Sequence, residues 1–129
     1  MLLETNGGNK NLIEAFQNAK TPFPVGNSLM YSIYKMLPND TDLTVFREDG
    51  DIDGFNFAFI GDHFDYHTEQ DSFERMDLKS LNHQASYLIT LLDYFAESNL
   101  DNLKAQSDYV FFNFPYFGLI FYPFSWVLP

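Results

Sequence analysis

Phe55-Asn56-Phe57-Ala58-Phe59-Ile60 is the stretch that decides the fold class of this chain. A strand with one wet face alternates apolar and polar residues, and this run does not alternate. It is also too short for a core helix, so it reads as a strand covered on both faces, as in α/β sheets. Helical spacing lies on either side. Residues 9–20 place Leu12, Ile13 and Phe16 on one face, and Thr21-Pro22-Phe23-Pro24 ends the pattern. Residues 27–37 place Leu29, Met30, Ile33, Tyr34 and Leu37 together, and Pro38 closes the helix. Residues 77–97 form the clearest element, with Asp77 as N-cap and Leu78, Leu81, Ala85, Leu88, Leu92 and Phe95 at alternating steps of three and four. Leu43-Thr44-Val45-Phe46 reads as a short strand between polar loops, and Leu2-Leu3 as the end of another.

The 129 residues suffice for one domain with one core. Eighteen acidic residues against seven basic ones give a net charge of -11. That balance repels phosphate backbones and anionic headgroups, which argues against a nucleic-acid partner. The chain has no cysteine, so disulfides and thiolate metal sites are excluded. Met1-Leu2-Leu3-Glu4 lacks the basic region and long apolar core of a signal peptide, so any export signal is expected outside this sequence.

Composition shifts at Tyr109. Residues 109–129 carry no charge and crowd ten aromatic rings between Tyr109 and Trp126. One reading is a β-hairpin packed on the domain. The favoured expectation is an aromatic juxtamembrane segment leading into a transmembrane helix, with Trp126-Val127-Leu128 beginning the span. The expected division is therefore a domain over residues 1–108 and a membrane junction over 109–129.

Chemistry-bearing residues gather past the central strand, in Asp65-Tyr66-His67-Thr68-Glu69-Gln70-Asp71. An imidazole in a loop at a strand end can hold zinc through one nitrogen while a carboxylate or carbonyl fixes the other. His63 and His67 are four apart, but the stretch has no helical period and lacks the glutamate of the helical zinc motif, so His63 reads as a surface residue. His83 reads as solvated, on the polar side of its helix. Asp40 and Asp42 lie in a loop, where carboxylates usually form turns or caps. There is no Gly-rich phosphate loop and no Gly-x-Ser-x-Gly elbow. A hydrolytic zinc site needs three protein ligands and an open position, and the residues alone do not supply that set.

Several blocks together resemble one family. They are Leu3-Glu4-Thr5-Asn6-Gly7-Gly8 with Leu12-Ile13-Glu14-Ala15-Phe16, then Pro24-Val25-Gly26-Asn27-Ser28-Leu29, then Pro38-Asn39-Asp40-Thr41-Asp42 with Phe46. Gly54-Phe55-Asn56-Phe57-Ala58-Phe59-Ile60 follows, and then Tyr66-His67-Thr68 with Asp71 and Arg75. In this order they look like the C-terminal part of metallopeptidase family twenty-eight, in its membrane-anchored, endoplasmic reticulum metallopeptidase-like branch.

The resemblance implies a fragment of a three-layer α/β/α sandwich in which two zinc ions activate a water against an N-terminal peptide bond. It implies that His67 is the last zinc ligand, that Thr68 and Asp71 shape its loop, and that Asp42 lies on the substrate side. It further implies that the other ligands and the glutamate base lie upstream, so the chain alone is expected to be inactive. A peptide is the implied substrate. The implied location is at a membrane through residues 109–129, with the peptidase domain on the extracytoplasmic or lumenal side. Two alternatives share the fold: a non-catalytic membrane-linked interaction module, and a glutaminyl cyclase-like transferase.

Overall fold

The computed structural model describes residues 1–38, 40–61 and 63–127. In chain order it contains β1 (Leu2–Glu4), α1 (Lys10–Asn18), α2 (Ser28–Tyr34), α3 (Asp42–Glu48), β2 (Asn56–Ala58), α4 (Leu78–Glu97), β3 (Tyr109–Phe114) and β4 (Gly118–Pro123). Four helices and two small sheets make a mixed α/β fold, as the central strand predicted.

The two sheets are both antiparallel pairs. β1 pairs with β2, placing Leu3 opposite Phe57, and β3 pairs with β4, placing Phe111 opposite Phe121. Leu3, Ile13, Phe16, Tyr87, Leu91, Phe111 and Leu119 form one core drawn from β1, α1, α4 and the hairpin. Phe16 is its centre, with ring centroids 5.4 Å from Tyr87 and 5.7 Å from both Phe55 and Phe57. Aromatic pairs at these separations add to the gain from burial.

Five expectations need correction. The run Phe55 to Ile60 contributes a strand, but only over Asn56–Ala58, half-buried, with Phe59 and Ile60 exposed. It is not covered on both faces, because its partner is one short antiparallel strand rather than a sheet with helices on each side. Leu43 to Phe46 is not a strand but the middle of α3. The Thr44 hydroxyl accepts from the Thr41 N–H at 3.2 Å. Asp42 in the first turn and Arg47 in the last suit the helix dipole, which outweighs the β preference of Thr44-Val45-Phe46.

α2 buries Tyr31 rather than Leu29, Met30 and Ile33, because the Tyr31 hydroxyl donates to the Thr5 carbonyl and draws that face inward. α4 starts after Asp77, whose carboxylate accepts from the Lys79 and Ser80 amides at 3.3 and 3.0 Å, as a cap should. Its buried positions are nevertheless Tyr87 and Leu91, while the stripe through Leu81, Leu88 and Leu92 faces outward.

Residues 109–123 take the hairpin, the alternative set aside on sequence grounds. Phe111 is fully buried, and Leu119 nearly so. Beyond β4 comes a single 3-10 turn, Phe124–Trp126. Trp126, where the expected span begins, ends that turn and Val127 follows it, while Leu128 lies outside the described residues. No helix among the described residues is long and apolar enough to cross a membrane.

Candidate functional site

The loop after β2 contains His67. Its bonds are local: Thr68 N–H and hydroxyl both donate to the Asp65 carbonyl, at 3.0 and 2.7 Å. The Thr68 hydroxyl accepts from the Gln70 N–H at 3.1 Å, and the Asp71 N–H donates to the Thr68 carbonyl at 3.1 Å. Arg75 closes the loop by donating two N–H groups to one Asp65 oxygen, at 2.9 and 2.8 Å. Thr68 and Asp71 thus share the turn that presents His67. His67 itself has φ 59, in the left-handed region, and is exposed with its ring stacked on Tyr66 at 3.9 Å. A non-glycine residue held there is uncommon and draws attention to the position.

The other two histidines divide differently. His63 is exposed beside Phe64, as expected of a surface residue. His83 is not solvated. It is half-buried, with Nε2 at 3.1 and 3.0 Å from the Pro22 and Phe23 carbonyls and its ring edge-on to Tyr87. It ties α4 to the loop after α1. Tyr87 does the same: its hydroxyl donates to the Phe23 carbonyl and accepts from Val25 N–H, and burial pushes it up to about 12.

Asp42 sits at the exposed start of α3, on the rim of an open bowl of about 330 Å³. Leu43, Phe46, Ile52 and Phe55 give the bowl apolar walls, and Asp53 lines it as a second carboxylate. Burial raises the Asp53 pKa, against the opposing pull of Lys104.

Sequence reading passed over Glu4. It ends β1 with a buried carboxylate that accepts from Asn56 Nδ2 at 2.9 Å and Thr41 Oγ1 at 3.3 Å, and it pairs with Arg47 at 3.4 Å. A buried charge is tolerated only when paired and hydrogen-bonded, and three elements converge to do this. The signal was an acidic residue directly after Leu2-Leu3 in a candidate strand. Burial raises the Tyr34 pKa, and the neighbouring Glu4, Tyr66 and Asp40 raise it further.

These positions do not amount to a metal centre. Among the described residues no group of three His, Asp or Glu side chains converges as a metal site would require. His67 is a single exposed imidazole, and Asp65 is committed to Arg75.

The family model for peptidase family M28 matches residues 1–92. The chain belongs to that family. It is 28% identical over 130 residues to endoplasmic reticulum metallopeptidase 1 of Rattus norvegicus, and the match covers 95% of this chain and 14% of that protein. The human protein of the same name is 27% identical over 122 residues, covering 93% and 13%. A vacuolar membrane protease of Debaryomyces hansenii is 28% identical over 97 residues, covering 74% and 9%. The chain therefore spans about a seventh of the first of these relatives. No solved structure matches it.

Proposed function

We propose that this chain is the C-terminal part of a zinc-dependent aminopeptidase domain, contributing His67 to a metal site completed by ligands outside it. Membership of a peptidase family over residues 1–92 carries the reading. Within that span His67 is an exposed imidazole in the loop after β2, on a turn built by Asp65, Thr68 and Asp71. The Asp42 bowl is the substrate side in this reading, and its apolar walls suit the first side chain of a peptide. One imidazole does not hold zinc against water, so the chain by itself is inactive.

The membrane reading rests on the aromatic surface after β4. Phe124, Trp126 and Val127 are exposed, and rings of this kind favour the headgroup boundary. The endoplasmic reticulum metallopeptidase and the vacuolar membrane protease among the relatives support a place at a membrane, with the domain on the lumenal or extracytoplasmic side in this reading. Trp126 is the only tryptophan, so its emission reports the contact. A blue shift on adding neutral phosphatidylcholine vesicles is expected, and an unchanged spectrum would remove the membrane from the proposal.

The metal reading is tested by placing this chain in the matched segment of the rat relative. Peptidase activity and bound zinc that both vanish with His67→Ala are expected. A chimera indifferent to that change would assign the ligand elsewhere. Calorimetric titration of the chain alone should show no tight zinc site. A stoichiometric site lost in His67→Ala would mean that the chain holds its own metal centre.

A further inference from the structure

Asn6-Gly7 is the only place in the chain where glycine follows asparagine. Such a pair is open to attack by its own backbone, because glycine has no Cβ to crowd the approach of its nitrogen. The two residues are held very differently. Asn6 is buried, and its carboxamide is committed to a distant segment. Nδ2 donates to Asp53 Oδ1 at 2.9 Å and to the Ile52 carbonyl at 3.4 Å, while Oδ1 accepts from Gly54 N–H at 3.0 Å. Gly7 is exposed, and its N–H donates to none of the described residues, whereas Asp108 takes up the amides of Gly8 and Asn9. A free backbone nitrogen thus lies next to a carboxamide that only its clamp on residues 52–54 keeps in place.

We propose that Asn6 is a site of spontaneous deamidation, gated by this clamp and unable to restore it afterwards. When the clamp opens, the Gly7 nitrogen loses its proton to solvent and attacks Asn6 Cγ. The new N–C bond forms as the Cγ–Nδ2 bond breaks, ammonia leaves with a proton from solvent, and a cyclic imide remains. Water opens that ring at either carbonyl, leaving aspartate or isoaspartate at position 6. One water is consumed and one ammonia released, with no change of oxidation state. In the closed clamp the carboxamide is fixed by three bonds and kept from solvent, so it does not turn back to Gly7.

The product opposes closure. An oxygen replaces the Nδ2 donor, so a carboxylate meets the Asp53 carboxylate and the Ile52 carbonyl, both of which had accepted from Asn6. Like charges so close repel, and half-buried acceptors lose their donor. Asn6 and Lys104 are the two groups that ease the burial of Asp53, and deamidation removes the first. Ile52, Asp53 and Gly54 line the open bowl beside α3, so its wall is the part that loosens.

Mass spectrometry of the Met1–Lys10 tryptic peptide, fragmented to separate Asn6 from Asn9, follows the reaction. Deamidation at Asn6 should be at least about 10-fold slower in the folded chain than in concentrated urea. At intermediate urea its rate should rise in step with hydrogen exchange of Gly54 N–H, the donor within the clamp. Equal rates in the two states, or a rate indifferent to Gly54 exchange, overturn the gate. Gly7→Ala should suppress the reaction in urea, and it spares the native fold because a Cβ there meets nothing within 4 Å. Deamidation that persists in this variant overturns the attack by Gly7. Asn6→Asp copies one product and should speed Gly54 exchange at least about 10-fold while the amides of α4 exchange as before. Unchanged exchange at Gly54, or a loss of protection that extends to α4, overturns the local failure of the clamp.

Discussion

The Asn9–Tyr109 clasp and the His67 turn are both polar, both irregular, and held in opposite ways. At the clasp, Tyr109 N–H donates to Asn9 Oδ1 at 2.7 Å, and Asp108 accepts from the Gly8 and Asn9 amides at 2.8 and 3.1 Å. These bonds join residues about a hundred positions apart, and Asn9 is buried among them. At the turn, every bond to Asp65 or Thr68 comes from within ten residues, and the side chains are mostly exposed. The clasp holds the fold together, whereas the turn displays a residue. A displayed side chain acquires its working position from whatever it meets, so the contrast fits a chain that folds around Phe16 while no metal-holding group converges among its described residues.

The contrast breaks most severely at the clasp's apolar neighbour. Phe111→Ala removes a fully buried ring from the core and should cost about 3–5 kcal/mol, enough to unfold many small domains. Thermal melting by circular dichroism measures it, and a loss below 1 kcal/mol would mean that the hairpin is not part of the core. Asn9→Ala leaves the Tyr109 amide without its acceptor and should cost about 1–3 kcal/mol in the same melt.

Alkali sharpens the comparison. Tyr87 is held near 12 in the folded chain against an ordinary value of 10, because burial favours the neutral phenol. Its contribution is complete below pH 10 and is lost as pH rises toward 12, where the unfolded phenol has already ionised. Urea melts across that window should show falling stability, and Tyr87→Phe should flatten the fall. The smallest effect belongs to the turn. His67→Ala should change stability by less than about 0.5 kcal/mol, with a slight gain if relief of the left-handed backbone dominates. A loss of several kcal/mol would show that His67 is part of the scaffold.

Local signals were the legible ones. Leu12, Ile13 and Phe16 declared α1, and Asp77 declared the start of α4, because spacing and caps act within a few residues. The family blocks pointed to His67 and Asp42, which remain proposals. Which face of α4 turns inward was not legible. Leucines mark an apolar stripe, but the choice was made by the Tyr87 hydroxyl, which reaches the Phe23 carbonyl, and by His83 beside it. Glu4 escaped notice because its partners Thr41, Arg47 and Asn56 come from distant segments. The hairpin was passed over in favour of a run into a span because an uncharged aromatic stretch looks alike in lipid and in a core. Phe111 decides between them only once α1 and α4 are in place.

The clasp also has a consequence in time. Asn9 finds its partner only when Tyr109 has been made, and at ribosomal rates of about 5–20 residues per second that interval is roughly 5–20 s. Through it α1 keeps Ile13 and Phe16 without the hairpin that later packs with them. Nascent chains halted before residue 109 should therefore be the forms that chaperones hold and proteases cut. Synthesis of the last strands would then act as the moment of closure for the first helix.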